Sequence, residues 1–251
     1  MIYNKVLLDN IEKEKAGIDY IYSVEDKSVL EELFNEIKTC TGVSISYLAE
    51  IDAFAINGAG QIMAKYITRI SSDSVRCFLI PQIVSDKVPN CSQILLQLYH
   101  NFRESNEYIA KNAAPAPCHI YARFDNAFAK LKSKKMKMDL LDVVKNPRDA
   151  FYLPFTTKML ASWKMPELKE ILIKYSRKDN ITAKEVGIDG RGEYTPSYDT
   201  IKRELRFIAI DGLRYYPSKE VQALLETYRE EEDISIRRLS EKILQKMKKT
   251  K

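Results

Sequence analysis

Histidine occurs only twice in this chain, at His100 and His119, and tryptophan once, at Trp163. Four cysteines, Cys40, Cys77, Cys91 and Cys118, include no CxxC pair, and no HxxxH spacing is present, so no zinc site is expected. Cys118 and His119 are adjacent beyond a proline-bearing run. On extended chain they point to opposite sides, which argues against a thiolate–imidazole pair. The start, MIYNKVLLDN, has no signal-peptide pattern, so the cysteines read as reduced thiols of a cytoplasmic protein. No apolar run approaches the roughly 18 residues of a membrane span, so no membrane insertion is expected. Only 8 glycines and 9 prolines argue against disorder and against a turn-dense β architecture. The two glycine clusters, Gly58-Ala59-Gly60 and Gly187 to Gly192, follow no recognisable strand and lack a Walker-type lysine. No cofactor is expected, and no catalytic residue stands out.

What is present is helical spacing. From about Ser28, Val29, Leu30, Leu33, Phe34 and Ile37 recur at three- and four-residue intervals on one face. Further helices are expected over about 46–70, with Gly58 and Gly60 weakening the middle, then 72–84, 90–104, 120–132 and 139–145, the last closed by Pro147. The run NAAPAPC, with two prolines that restrict the residues before them, marks a break at 112–119 between regions 1–111 and 120–251.

After Pro147 the sequence repeats. A shift of 53 residues pairs Phe155 with Ile208, Leu160 with Leu213, Trp163 with Tyr216, Leu168 with Val221, Ile171 with Leu224, Leu172 with Leu225, Tyr175 with Tyr228 and Ile181 with Ile234. Each copy reads as a helix, a proline-bearing turn at Met165-Pro166 or Pro217-Ser218, and a second helix. Such a pair cannot bury both faces alone and needs neighbours. A loop insertion over 184–195 carries Gly187, Gly190 and Gly192.

The second copy, with Leu205-Arg206, Ala209, Leu213, Val221, Leu224 and Leu225, followed by Asp233, Ile236 and Arg237, resembles HEAT-like repeats, and Asp73, Val75 and Arg76 echo it in the first half. The resemblance implies an all-α fold, an α-solenoid of about five helix pairs with the second helices lining a concave surface; the alternative is an irregular helical bundle. It also implies a non-catalytic scaffold or adaptor whose partner is a protein.

Charge gives the alternative. The chain has 40 basic and 35 acidic residues, a net +5. Lys130, Lys132, Lys134, Lys135 and Lys137 cluster without a carboxylate, and Arg237, Arg238 and Lys242 lie near the C-terminal end. Together they could form a footprint for a phosphate backbone, as a DNA-binding protein or, by similarity of size and charge, an alkylpurine DNA glycosylase of the HEAT-like kind would need. That enzyme family's catalytic residues have no match here. Lys132, Lys134, Lys135, Lys137, Arg191 in the inserted loop, Arg237, Arg238 and Trp163 are the candidate binding residues, Trp163 having core packing between repeats as its ordinary role. Glu230, Glu231, Glu232 and Asp233 precede the last helix and basic residues end it, as helix-terminus electrostatics favours.

Overall fold

A computed structural model describes residues 24–46, 48, 50, 56–109, 117–177, 180–186 and 197–249. The chain forms two compact units, one of Met1–Glu107 with Ala114–Leu131 and the other of Tyr108–Ala113 with Lys132–Lys251. Among the described residues there are twelve α-helices, two short 3-10 turns and no strand, an all-helical architecture. None of these helices is long and apolar enough to cross a membrane.

The first unit holds α1 (Val24–Thr41), α2 (Ala59–Tyr66), α3 (Asp73–Ser85), α4 (Cys91–Ile109) and α5 (Pro117–Leu131). In it, α1 packs on α2, α2 on α3, and α3 on α5. Leu33 and Ile37 of α1 are fully buried, as the helical period requires. An aromatic cluster joins α4 to α5: Tyr99 meets Phe124 edge-on at 5.2 Å, and Phe102 meets Tyr121 at 4.7 Å. The buried Asp26 carboxylate accepts from Ser71 N–H at 2.7 Å, Ser72 N–H at 2.9 Å and the Ser71 hydroxyl, fixing the entry to α3. The expected helix over 46–70 is interrupted at Gly58, the weak point its glycines marked. Gly58 takes φ 82°, a left-handed conformation through which a helix does not run, and α2 begins immediately after it. Gly60 then lets α2 approach α3 closely, its N–H meeting Asp86 Oδ2 at 2.7 Å.

The second unit contains α6 (Lys137–Val144), α7 (Pro147–Tyr152), α8 (Pro154–Ser162), α9 (Pro166–Ser176), α10 (Tyr198–Leu213), α11 (Lys219–Thr227) and α12 (Ile234–Lys249). Prolines open α7, α8 and α9, and one opens α5. The first turn of a helix needs no donor from that residue, so proline is at home there. Pro147 follows the end of α6 at Val144, as expected, and also starts α7, with Asn146 capping it by accepting from Arg148 N–H at 2.9 Å. The expected break at 112–119 lies largely outside the described residues, as do residues 187–195 of the expected insertion; Pro117 itself begins α5, three residues earlier than the expected start.

Packing in this unit follows the repeat. α10 packs on α8 and most extensively on α9, and one pair further along α12 packs on α10 and α11. The buried partners under the 53-residue shift agree: Leu160 and Leu213, Leu168 and Val221, and Leu172 and Leu225 are all fully buried. The correspondence ends at Ile234, which is 52% exposed where Ile181 is buried. At the crossing of α10 with α8 and α9 sits Gly212, where a Cβ would lie 2.8 Å from Leu172 Cδ1 and 3.6 Å from Ala161 Cβ.

Polar contacts repeat as well. The Tyr175 phenol, at the end of α9, donates to the Val144 and Lys145 carbonyls at the end of α6. The Tyr228 phenol, just past α11, donates to the Ser176 carbonyl at the end of α9. Each tyrosine thus satisfies a C-terminal carbonyl that its own helix leaves open. Burial pushes both phenols above the ordinary tyrosine range. The Ser176 carbonyl also accepts from Arg206 Nε at 3.1 Å, and the buried Arg206 guanidinium reaches Glu231 at 2.6 Å. Two carboxylates of the acidic run therefore have specific tasks, because Asp233 accepts from Ser235 N–H at 2.8 Å as the cap of α12 and pairs with Arg203 at 2.6 Å. Those contacts, the Arg203 one first, hold the Asp233 carboxyl below the usual carboxylate range. The Asp73–Arg76 echo differs: there Ser72 caps α3 and Asp73 pairs with Arg76 at 2.9 Å.

Candidate apolar groove on the second unit

On α8, Pro154, Phe155 and Lys158 lie on one side of the helix, and Phe151 of α7, before the non-helical Leu153, joins them. α10 is continuous and carries the i, i+3, i+4, i+7 spacing of one helical stripe at 204, 207, 208 and 211. Its other face is committed to the core, with Ile201, Leu205, Ala209, Ile210 and Leu213 buried. The two sets line one groove of about 310 Å³: Phe151, Pro154, Phe155 and Lys158 on one wall, Glu204, Phe207, Ile208 and Asp211 on the other.

The walls are congruent. Adding 53 to each residue of the first wall gives the four residues of the second, so the groove is the seam between equivalent positions of consecutive repeats. Its aromatics are not core residues: Phe155 is 56% exposed and Phe207 37%. Solvent-exposed phenyl rings lining a shared concavity leave apolar surface that a partner could remove from water.

Charge is unevenly placed along the groove. At one end the equivalent residues Lys158 and Asp211 pair at 3.2 Å, and Asp211 also meets Arg214 at 2.9 Å. Toward the other end Glu204 meets Arg203 only at 3.9 Å, and Arg203 is itself held by Asp233 at 2.6 Å. The lining contains no hydroxyl, thiol, imidazole or amide side chain. Such walls can desolvate an apolar group and attract a cation.

The sequence-predicted residues fall elsewhere. Lys134 and Lys135 are exposed on the 3-10 turn Lys134–Met136, and Lys137 begins α6, half-buried. Lys132 is exposed with φ 48°. Arg238 is exposed on α12, where Arg237 is half-buried. In the succession of helix contacts from α6 through α8 and α10 to α12, these two basic groups sit at opposite ends. Arg191 lies outside the described residues. Trp163, half-buried, closes α8 in the turn before α9, with its backbone N–H donating to the Leu160 carbonyl at 3.1 Å; the phenol of its repeat partner Tyr216 donates to the Met165 carbonyl at 3.0 Å. None of the described candidates lines the groove.

Sequence reading therefore missed Phe151, Lys158, Glu204, Phe207 and Asp211. The signal was available, since the 53-residue shift already paired Phe155 with Ile208 and extends unchanged to their neighbours at three- and four-residue spacing. Among the described residues no group of three or more His, Cys, Asp or Glu is placed to hold a metal ion. No protein-family model, curated protein or solved structure matches the chain.

Proposed function

We propose that the second unit is a short HEAT-like stack that acts as a non-catalytic protein-binding scaffold, with the α8–α10 groove as its binding surface. The observation carrying this reading is the congruent pair of walls with two exposed phenyl rings. Support for the stacked arrangement comes from the recurrence of packing, α10 on α8 and α9, then α12 on α10 and α11, and from the two tyrosines that tie successive second helices together. In this reading the binding surface is formed by the first helices of the pairs.

A photo-crosslinking amino acid placed at position 207 in the full chain, expressed in its natural host, tests the proposal. Discrete protein adducts are expected, and they should vanish when Phe155→Asp is added. Absence of any adduct to another protein overturns the reading.

A second reading, nucleic-acid binding, is favoured by α12, whose outer side exposes Arg238, Lys242, Lys248 and Lys249. It predicts duplex DNA binding that falls steeply with salt and weakens in Arg238→Glu/Lys242→Glu. No binding at low salt removes it.

A further inference from the structure

We propose that the groove's occupant is two turns of an amphipathic helix from a partner protein, with large apolar side chains at three- and four-residue spacing and a lysine or arginine at the Glu204 end. This rests on the protein-binding reading above and specifies its partner.

The length of the groove fits a helix. The α10 wall spans positions i to i+7 of one continuous helix, which at 1.5 Å per residue is about 10 Å, or two turns of helix. An occupant helix of that length offers matching side chains at i, i+3, i+4 and i+7, so the α10 wall and the occupant share one period.

Backbone hydrogen bonding favours the same occupant. The groove's polar groups are confined to Lys158, Glu204 and Asp211, and Lys158 and Asp211 already pair with each other. An extended peptide laid between Phe155 and Phe207 would bring amide and carbonyl groups into an apolar seam with no partner for them, which costs about 1–3 kcal/mol for each group left unsatisfied. A helix satisfies its own backbone and escapes that cost.

Charge sets the direction. At the Lys158–Asp211 end, Arg214 and Lys158 both neutralise Asp211. At the Glu204 end, the cation paired with the carboxylate, Arg203, is 3.9 Å away and engaged more closely by Asp233. The lining thus carries one cation against two carboxylates, with Glu204 the less compensated of the two. A cationic residue on the occupant complements it and fixes the direction in which the helix lies.

A phage-displayed library of helical peptides of about four turns, on an Ala/Glu/Lys frame with randomised face positions, is selected against the full chain. The expected winners carry large apolar residues at three- and four-residue spacing and a Lys or Arg beyond one end. Against Glu204→Lys the winners should carry Asp or Glu at that place, while Phe155→Ala/Phe207→Ala should weaken the wild-type winners at least about tenfold with an unchanged circular dichroism spectrum. Period-two winners, a charge preference unmoved by Glu204→Lys, or no winners sensitive to the phenylalanines each overturn the proposal. So does self-association in sedimentation that Phe207→Asp abolishes, which assigns the groove to a second copy. If crosslinks to another protein at position 207 persist alongside any of the first three outcomes, the scaffold reading stands and the helical occupant alone is lost.

Discussion

Tyr228 donates its phenolic hydrogen toward Ser176, whose carbonyl and hydroxyl oxygens both lie 3.0 Å away, and so fastens the end of α11 to the end of α9. Tyr175, its partner under the 53-residue shift, does the same for the end of α6. Removing either hydroxyl strands buried carbonyl capacity. Tyr175→Phe and Tyr228→Phe are each expected to cost about 1–2 kcal/mol in urea unfolding, with Tyr228→Phe the milder because Arg206 still serves the Ser176 carbonyl.

Alkaline titration tests the same burial. Burial pushes the Tyr216 phenol to about 12 and raises those of Tyr175 and Tyr228. A pKa above the unfolded value of about 10 means stability that is complete below pH ~10 and lost as pH rises through the folded value. Phenolate absorbance should therefore show a late group of tyrosines whose ionisation coincides with the loss of helical circular dichroism. Early titration of all fifteen tyrosines with the helices intact contradicts this.

The Arg206–Glu231 pair is mostly withdrawn from water, with side-chain exposures of 6% and 16%. Glu231→Leu leaves a guanidinium buried without its carboxylate and should destabilise by about 3 kcal/mol. The double variant Arg206→Met/Glu231→Leu is expected to cost less than the sum of the two single changes, measured as a double-mutant cycle. Strict additivity would mean that the pair is not coupled.

Asp233 links pH to the start of α12. Its carboxyl is held low by Arg203 and by the Ser235 and Ile236 N–H groups. Asn can replace the cap but not the ion pair, so Asp233→Asn should be modestly less stable at pH 7. Because the folded pKa is depressed, the difference from wild type is present above the unfolded value of about 4 and disappears as pH falls through the folded one. A difference independent of pH in thermal melts would refute the assignment.

Two glycines separate kinds of close contact. At Gly60 a Cβ would meet Asp86 Cβ and the Gln82 carbonyl oxygen at 2.8 Å, and a backbone atom cannot step aside. Gly60→Ala should cost about 1–3 kcal/mol. At Gly212 the nearest atom is the movable end of Leu172, and alanine's helix preference of about 1 kcal/mol opposes the clash. Gly212→Ala should lie within about 1 kcal/mol of wild type. Equal and large losses at both would contradict this contrast.

The sequence made the helices legible because apolar residues three and four apart share one face of a helix, whereas on a strand they would scatter over both faces. It also made the 53-residue offset legible. Helix ends were harder. Pro147 follows the end of one helix and opens the next, and the second role shows only in the Asn146 cap. The groove was harder still. Phe155 and Leu160 look alike as letters in a periodic stripe, yet one is 56% exposed and the other fully buried. Periodicity tells which residues share a face; what covers that face depends on the neighbouring helix. The buried charge of Arg206 was invisible for the same reason, since its partner Glu231 lies 25 residues away in a run that reads as a solvated helix approach.

The congruence of the groove's walls bears on how its selectivity could change. Each wall belongs to a different copy of the repeat and draws on four codons of its own. A substitution at Phe155 reshapes one side and leaves Phe207 and Ile208 where they are, so the two sides can drift or be engineered separately. The Lys158–Asp211 ion pair crosses from one side to the other, and there a change on one wall requires an answering change on the other.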